Sequence, residues 1–218
     1  MKCQTRIFGA TIWGILALLS SLSGAATAAP VTYAFTGLVN NDPFGVGLAS
    51  FSGTYTFDSA AVDLVAASHT GSYTSSGVAF GIAVDFDGGA VSVDLYGLPA
   101  VLNIGVANNF AGPVDQYAVT GLAGSVELGL FFEDTLAIAF SSDGLPVPAP
   151  LLAAFSFRQF RWFDTDAANP HEILGNIESL SCVAGCDSVP VPEPGSLWLA
   201  GLALSAGALA TRWRRRKD

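Results

Sequence analysis

Between Val31 and Phe140 the dominant pattern is runs in which apolar and small or polar residues alternate one by one, and few architectures accept it. In "VTYAFTGLV" Val31, Tyr33, Phe35, Gly37 and Val39 fall on one side and the small residues between them on the other. A repeat of two fits the pleat of a strand with one wet face, and it excludes an amphipathic helix, whose repeat is 3.6. "FSGTYTFD" repeats the pattern with Phe51, Tyr55 and Phe57. "GVAFGIAVDFDGGAVSVDLYG" continues it with Val78, Phe80, Ile82, Val84 and Phe86, then Val91, Val93 and Leu95. The "DFDGGA" between those two runs reads as a hairpin turn. Further strands are expected at 116–122, 125–132, 135–140, 155–162 and 172–180. Eight or more short strands punctuated by Gly, Asn and Asp predict an all-β fold, an antiparallel β-sandwich of jelly-roll type. About 160 residues bury roughly 70% of the unfolded surface, enough for one core, and the Phe and Tyr positions are assigned to it. Pro146, Pro148 and Pro150 remove backbone donors, so "SSDGLPVPAPLLAAF" must be a loop or an edge crossing.

Charge is segregated along the chain. Of nine basic residues only Arg158 and Arg161 lie between positions 30 and 190, against sixteen acids, a formal charge of −14 for that segment. Such a surface repels phosphate backbones, which argues against a nucleic-acid partner, and it keeps a secreted domain soluble.

The hydrophobic fraction of 51% is inflated by the two ends. Lys2 and Arg6 precede an apolar run from Ile7 to Leu22, and Ala26-Thr27-Ala28 forms an A-x-A site. This is the layout of a secretory signal peptide over 1–28, and it implies Sec export and signal peptidase. Pro30 is poorly tolerated as a first mature residue, so the scissile bond is placed between Ala28 and Ala29. Cys3 leaves with the signal.

At the other end Leu197 to Ala210 would span ~21 Å as a helix, short of a ~30 Å hydrocarbon core. Ser196 and Thr211 extend it to 196–211. Trp213 and the basic cluster Arg212, Arg214, Arg215, Arg216 and Lys217 anchor it on the cytoplasmic side. A single short transmembrane helix, held transiently in the inner membrane, is the expectation. The order of signal peptide, β-rich body, "VPEPGS", short apolar helix and arginine cluster resembles the PEP-CTERM sorting tail of Gram-negative bacteria, over residues 189–217. The resemblance implies that an exosortase acts at Pro192, Glu193 and Pro194, which are then a site read by another enzyme. It also implies a link to exopolysaccharide, biofilm or floc matrix. "SGTYTFDS", the "NN" followed by "DQYAV", "FSSDGLP" and "GNIESL" are similar to a layout in other proteins of this kind. That likeness implies a secreted β-domain, residues 29–187 ahead of a tail at 188–218, with no established activity and no site residues of its own.

Candidate chemistry in the body is sparse. Cys182 and Cys186 form an even pair in an oxidising compartment, and a disulfide is expected. Closing a five-residue loop is worth about 2 kcal/mol. Unreduced mature protein should therefore show no titratable thiol under denaturing conditions, and two thiols would exclude the bridge. A metal reading of this pair would need His69 and His171, which lack ligand spacing. Asp85 and Asp87, or Glu133 and Asp134, offer oxygen ligands to calcium, but without the ligand series of an EF-hand. No nucleophile elbow, zincin motif or phosphate loop is present, so no catalytic residue, metal or cofactor is assigned. The alternative is a secreted carbohydrate-active domain, a lectin-like binder or glycoside hydrolase, marked by exposed aromatics beside paired carboxylates in a groove.

Overall fold

The computed structural model describes residues 29–186, apart from Phe44, Ala66, Ala111 and residues 166–170. Ten strands are formed: β1 Pro30–Asn41, β2 Ser50–Asp58, β3 Thr70–Ser76, β4 Gly81–Phe86, β5 Val91–Tyr96, β6 Val101–Ala107, β7 Asp115–Ala123, β8 Val126–Asp134, β9 Phe157–Asp164 and β10 His171–Ala184. Neighbouring strands pair antiparallel, in the order β3-β6-β7-β8-β9-β10-β1-β2-β4-β5. The fold is all-β, with one 3-10 turn at Leu152–Ala154 among the described residues. No helix among them is long and apolar enough to cross a membrane. The expected signal peptide, 1–28, and the expected spanning segment, 196–211, lie outside the described residues.

The two-sheet jelly roll gives way to a single curled sheet. Hydrogen bonding is continuous through all ten strands, and β6 to β10 form a meander with no Greek-key crossover. The curl arises at the long central strands β10 and β1, whose pairing carries register shifts at Thr32/Tyr33, Thr36/Gly37 and Val39/Asn41. Such bulges bend a strand and increase its twist. The two arms then face each other across a core, as sandwich layers do. Tyr55 on β2 and Tyr117 on β7 meet hydroxyl to hydroxyl at 3.0 Å. Ile82 on β4 fills the space above Gly121 on β7, where a Cβ would lie 2.1 Å from its Cγ2.

The alternation places the core as expected at Val31, Tyr33, Phe35, Phe51, Tyr55, Phe57, Ile82, Val84 and Phe86, all buried. Val78 instead stands in a loop, 87% exposed, because β4 begins only at Gly81. Two strands, β3 and β6, were not expected. One expected strand, 135–140, is absent for a reason found in the neighbouring side chain, described below. The Asp87-Gly88-Gly89 hairpin forms, each residue with positive φ (47°, 71° and 99°).

Candidate functional site

Three places gather chemistry-bearing residues. The first is the outer face of β7 to β10, a shallow depression of about 440 Å³. The strand "FRQFRWFD" sends Phe160 and Trp162 inward, so alternation presents Phe157, Gln159, Arg161 and Phe163 on the outside. Arg161 is the hub. Its guanidinium lies 2.9 Å from Glu172 and 3.6 Å from Glu127, and 4.6 Å from the centre of the Phe163 ring. Glycine stands opposite it at position 129, and the Phe131 ring covers that glycine, at 2.5 Å from where a Cβ would be. Gln116 donates to Glu133 on the same face at 3.3 Å. Aromatic faces here lie beside amides and carboxylates. No pattern in the sequence marks it, because Glu127 and Glu172 come to Arg161 from β8 and β10.

The second place is a pair of buried carboxylates. Asp115 and Asp134 face each other across β7 and β8, and both are shielded from water. Asp134 accepts the backbone N–H of Leu136 (2.9 Å), Ile138 (2.7 Å) and Ala139 (3.0 Å). Asp115 accepts those of Asn109 (3.0 Å) and Phe140 (2.8 Å). Buried charge survives because fixed N–H dipoles replace water. These bonds also take the donors that a strand at 135–140 would need for its ladder, which is why that segment is a loop.

Glu133, next to Asp134, points to the other face, so the two do not converge on a cation. Asp87 is likewise engaged, by the N–H groups of Ser50 (2.7 Å) and Ala49 (3.1 Å), and Asp85 by the Ser92 hydroxyl. No group of three or more metal-ligating side chains occurs among the described residues.

The N–H of Ile138, then that of Leu136, holds the Asp134 carboxyl below its ordinary value against the opposing effect of burial. A depressed folded-state value stabilises the fold above about pH 4 and is lost as pH falls through it. Asp134→Asn should therefore lower Tm at pH 7 by several degrees, with the gap to wild type narrowing as pH drops towards about 3. Thermal melts over that pH range check it; a gap independent of pH would remove the ionic role.

The third place is the corner where the chain enters and leaves the domain. The end of β10 pairs with the start of β1, Thr32 opposite Ala184 and Tyr33 opposite Cys182. Gly185 turns there with φ +70°, and a Cβ would sit 2.3 Å from the Pro30 carbonyl oxygen, so only glycine fits. Cys182 and Cys186 are joined across this turn, their Cα atoms 5.8 Å apart. Ala29 directly precedes β1, its carbonyl accepting the Ser59 N–H at 3.1 Å. Ala28, the Pro192-Glu193-Pro194 triplet and the basic residues Arg212, Arg214, Arg215, Arg216 and Lys217 lie outside the described residues. By sequence, Pro192 follows Cys186 by six positions.

Residues 190–216 match the PEP-CTERM protein-sorting motif family. No curated protein and no solved structure matches the chain. The PEP-CTERM motif points to an exported protein sorted by an exosortase. It begins four residues beyond Cys186, so the disulfide corner is the last described part of the fold before the motif.

Proposed function

We propose that this chain is a non-enzymatic exported protein of a Gram-negative bacterium. It passes the Sec machinery, loses its leader between Ala28 and Ala29, and is held transiently in the inner membrane by residues 196–211. An exosortase then acts at Pro192, Glu193 and Pro194. The β-domain is released to the cell surface or extracellular matrix in association with exopolysaccharide. The match over residues 190–216 carries this reading, supported by the apolar run and basic end it encloses. The experiment is mass spectrometry of the protein from an exosortase-bearing host, beside a variant with alanine at 192, 193 and 194. Wild type should begin at Ala29 and lack residues 197–218, while the variant keeps them and stays with the inner membrane. Equal processing of both would overturn the reading.

A second reading is favoured by the outer face of β7 to β10: a glycan-binding domain. Pyranose rings pair an apolar face with hydroxyls, and this surface pairs aromatic rings with amides and carboxylates. A binder suits it better than a hydrolase. Glycoside hydrolysis needs one carboxyl free to donate a proton and one free to attack or activate water. Here Glu127 and Glu172 are both engaged by Arg161. Titration against matrix polysaccharide should show binding that Phe131→Ala and Arg161→Ala each weaken about tenfold or more, a loss of roughly 1.4 kcal/mol. Absence of binding to any polysaccharide would end this reading and leave the first intact.

A further inference from the structure

The outer face of β7 to β10 carries acids at both ends of an apolar strip. Register sets Gln116, Glu133 and Phe157 abreast on β7, β8 and β9, and Glu127, Phe163 and Glu172 abreast on β8, β9 and β10. Six residue steps along β8 separate the two rows, about 20 Å. Between them the Phe131 ring lies over Gly129, and Leu174 stands opposite Arg161. Each row therefore sets a carboxylate beside an aromatic ring, with a third ring in the middle.

Three carboxylates against one guanidinium leave this face with a formal charge of −2. Arg158, the body's other basic residue, falls on the other side of β9 by alternation. Arg161 meets Glu127 and Glu172 through Oε1 of each, and Gln116 donates to Oε2 of Glu133. The second oxygen of each carboxylate accepts no hydrogen bond among the described residues, and so is open to a donor from outside. β8 and β9 are paired on both sides, so the face offers no free backbone groups to an extended peptide, which draws much of its affinity from them. Side chains alone meet the ligand.

We propose that this face takes a polysaccharide whose sugars carry free, protonated amines, a de-N-acetylated hexosamine polymer, laid along β8 with its amines at Glu133 and at Glu127 and Glu172. The inference rests on the glycan-binding reading of this face and names the class of sugar. Charge selects it. A uronate polymer would bring carboxylates to a negative face on a segment of formal charge −14. A neutral sugar stacks on the rings but leaves the open oxygens without a charged donor. An ammonium supplies one, in a charge-assisted hydrogen bond. Exposed ion pairs are individually weak, so several must act together, and a polymer that spans both rows provides them.

The test titrates the full chain, in uncharged detergent at about pH 5.5 where amines keep their proton, with hexasaccharides of glucosamine, of N-acetylglucosamine and of a uronate. The glucosamine hexamer should bind about tenfold or more tightly than its acetylated form, the uronate should not bind, and about 1 M salt should erase the difference. Glu127→Gln with Glu133→Gln should remove the preference. Asp85→Asn with Asp94→Asn, the same change of charge at exposed positions of β4 and β5, should keep it. Phe131→Ala should weaken both hexosamines alike. Equal binding of the two hexosamines would overturn this inference and leave the glycan-binding reading intact, whereas no binding of any hexamer would overturn both. A lysine hexapeptide that binds as tightly as the glucosamine hexamer and ignores Phe131→Ala, or a preference lost equally in both double variants, would assign the attraction to overall charge and overturn the site.

Discussion

Phe160→Ala is expected to cost about 3–5 kcal/mol, the range for emptying a buried aromatic site. Phe160 is fully buried at the centre of β9. Its ring stacks on Phe51 at 4.4 Å between centroids, lies 6.4 Å from Phe35 and meets Phe86 edge-on at 5.8 Å. Those three partners belong to β2, β1 and β4, so this one ring joins β9 to the arm that curls over it. Truncation removes the transfer free energy of the ring and leaves a cavity that the surrounding aromatics, each fixed by other rings, cannot close. Phe51 is also caged by Gly37 and Gly175, and Phe86 packs on Trp162 at 5.3 Å. For a domain of this size the loss corresponds to a drop in Tm of roughly 6–20 °C. Urea titration should show a lower midpoint with an unchanged slope, and Phe160→Leu should recover about half. A loss under about 1 kcal/mol would mean that the arms are held together elsewhere.

That dependence on one ring explains how far the fold could be read in advance. Alternation identified the faces of β1, β2, β4 and β5 because each carries large apolar side chains at every second position. It could not identify how many sheets those faces make, since hydrogen bonding between arms depends on bulges in the β1–β10 pairing that no local pattern announces. β3 escaped because its inward positions, Gly71, Tyr73 and Ser75, include a single large side chain. β6 does alternate, with Leu102, Ile104 and Val106 buried, but it is bracketed by Pro99 and two asparagines and carries Asn103 and Gly105 between its apolar positions. Segment 135–140 shows the opposite failure. Leu136, Ile138 and Phe140 alternate well, yet a buried acceptor outside the segment, Asp134, captures the N–H groups a strand would use. The sorting motif was legible because it is linear: turn, apolar run and charge are adjacent in sequence. The Arg161 face was not, because Glu127 and Glu172 reach it from two other strands.

The strongest backbone constraint in the curl is steric, and it makes Gly37→Ala a sharp test. Ordinarily a glycine in a strand replaced by alanine gains about 0.4–1 kcal/mol by restricting the unfolded chain. At position 37 a Cβ would lie 2.1 Å from the Asn176 carbonyl oxygen and 2.3 Å from Phe51 Cζ. The first neighbour is backbone of β10, and the second is a ring locked against Phe160, so neither can withdraw cheaply. Gly37 also sits at one of the register shifts that bend β1 against β10, where pushing the strands apart would flatten the curl. Overpacking of this kind costs about 3 kcal/mol and outweighs the entropic gain. Gly105 on β6 supplies the control: nothing lies within 4 Å of its would-be Cβ, and its φ is not positive. Gly105→Ala should be neutral or stabilising by a few tenths of a kcal/mol. Measured in the same denaturant titration, the two alanines should differ by about 3 kcal/mol in opposite directions from wild type. Equal effects would show that close approach at β1 and β10 does not govern the bend, and the curled single sheet would then need another cause.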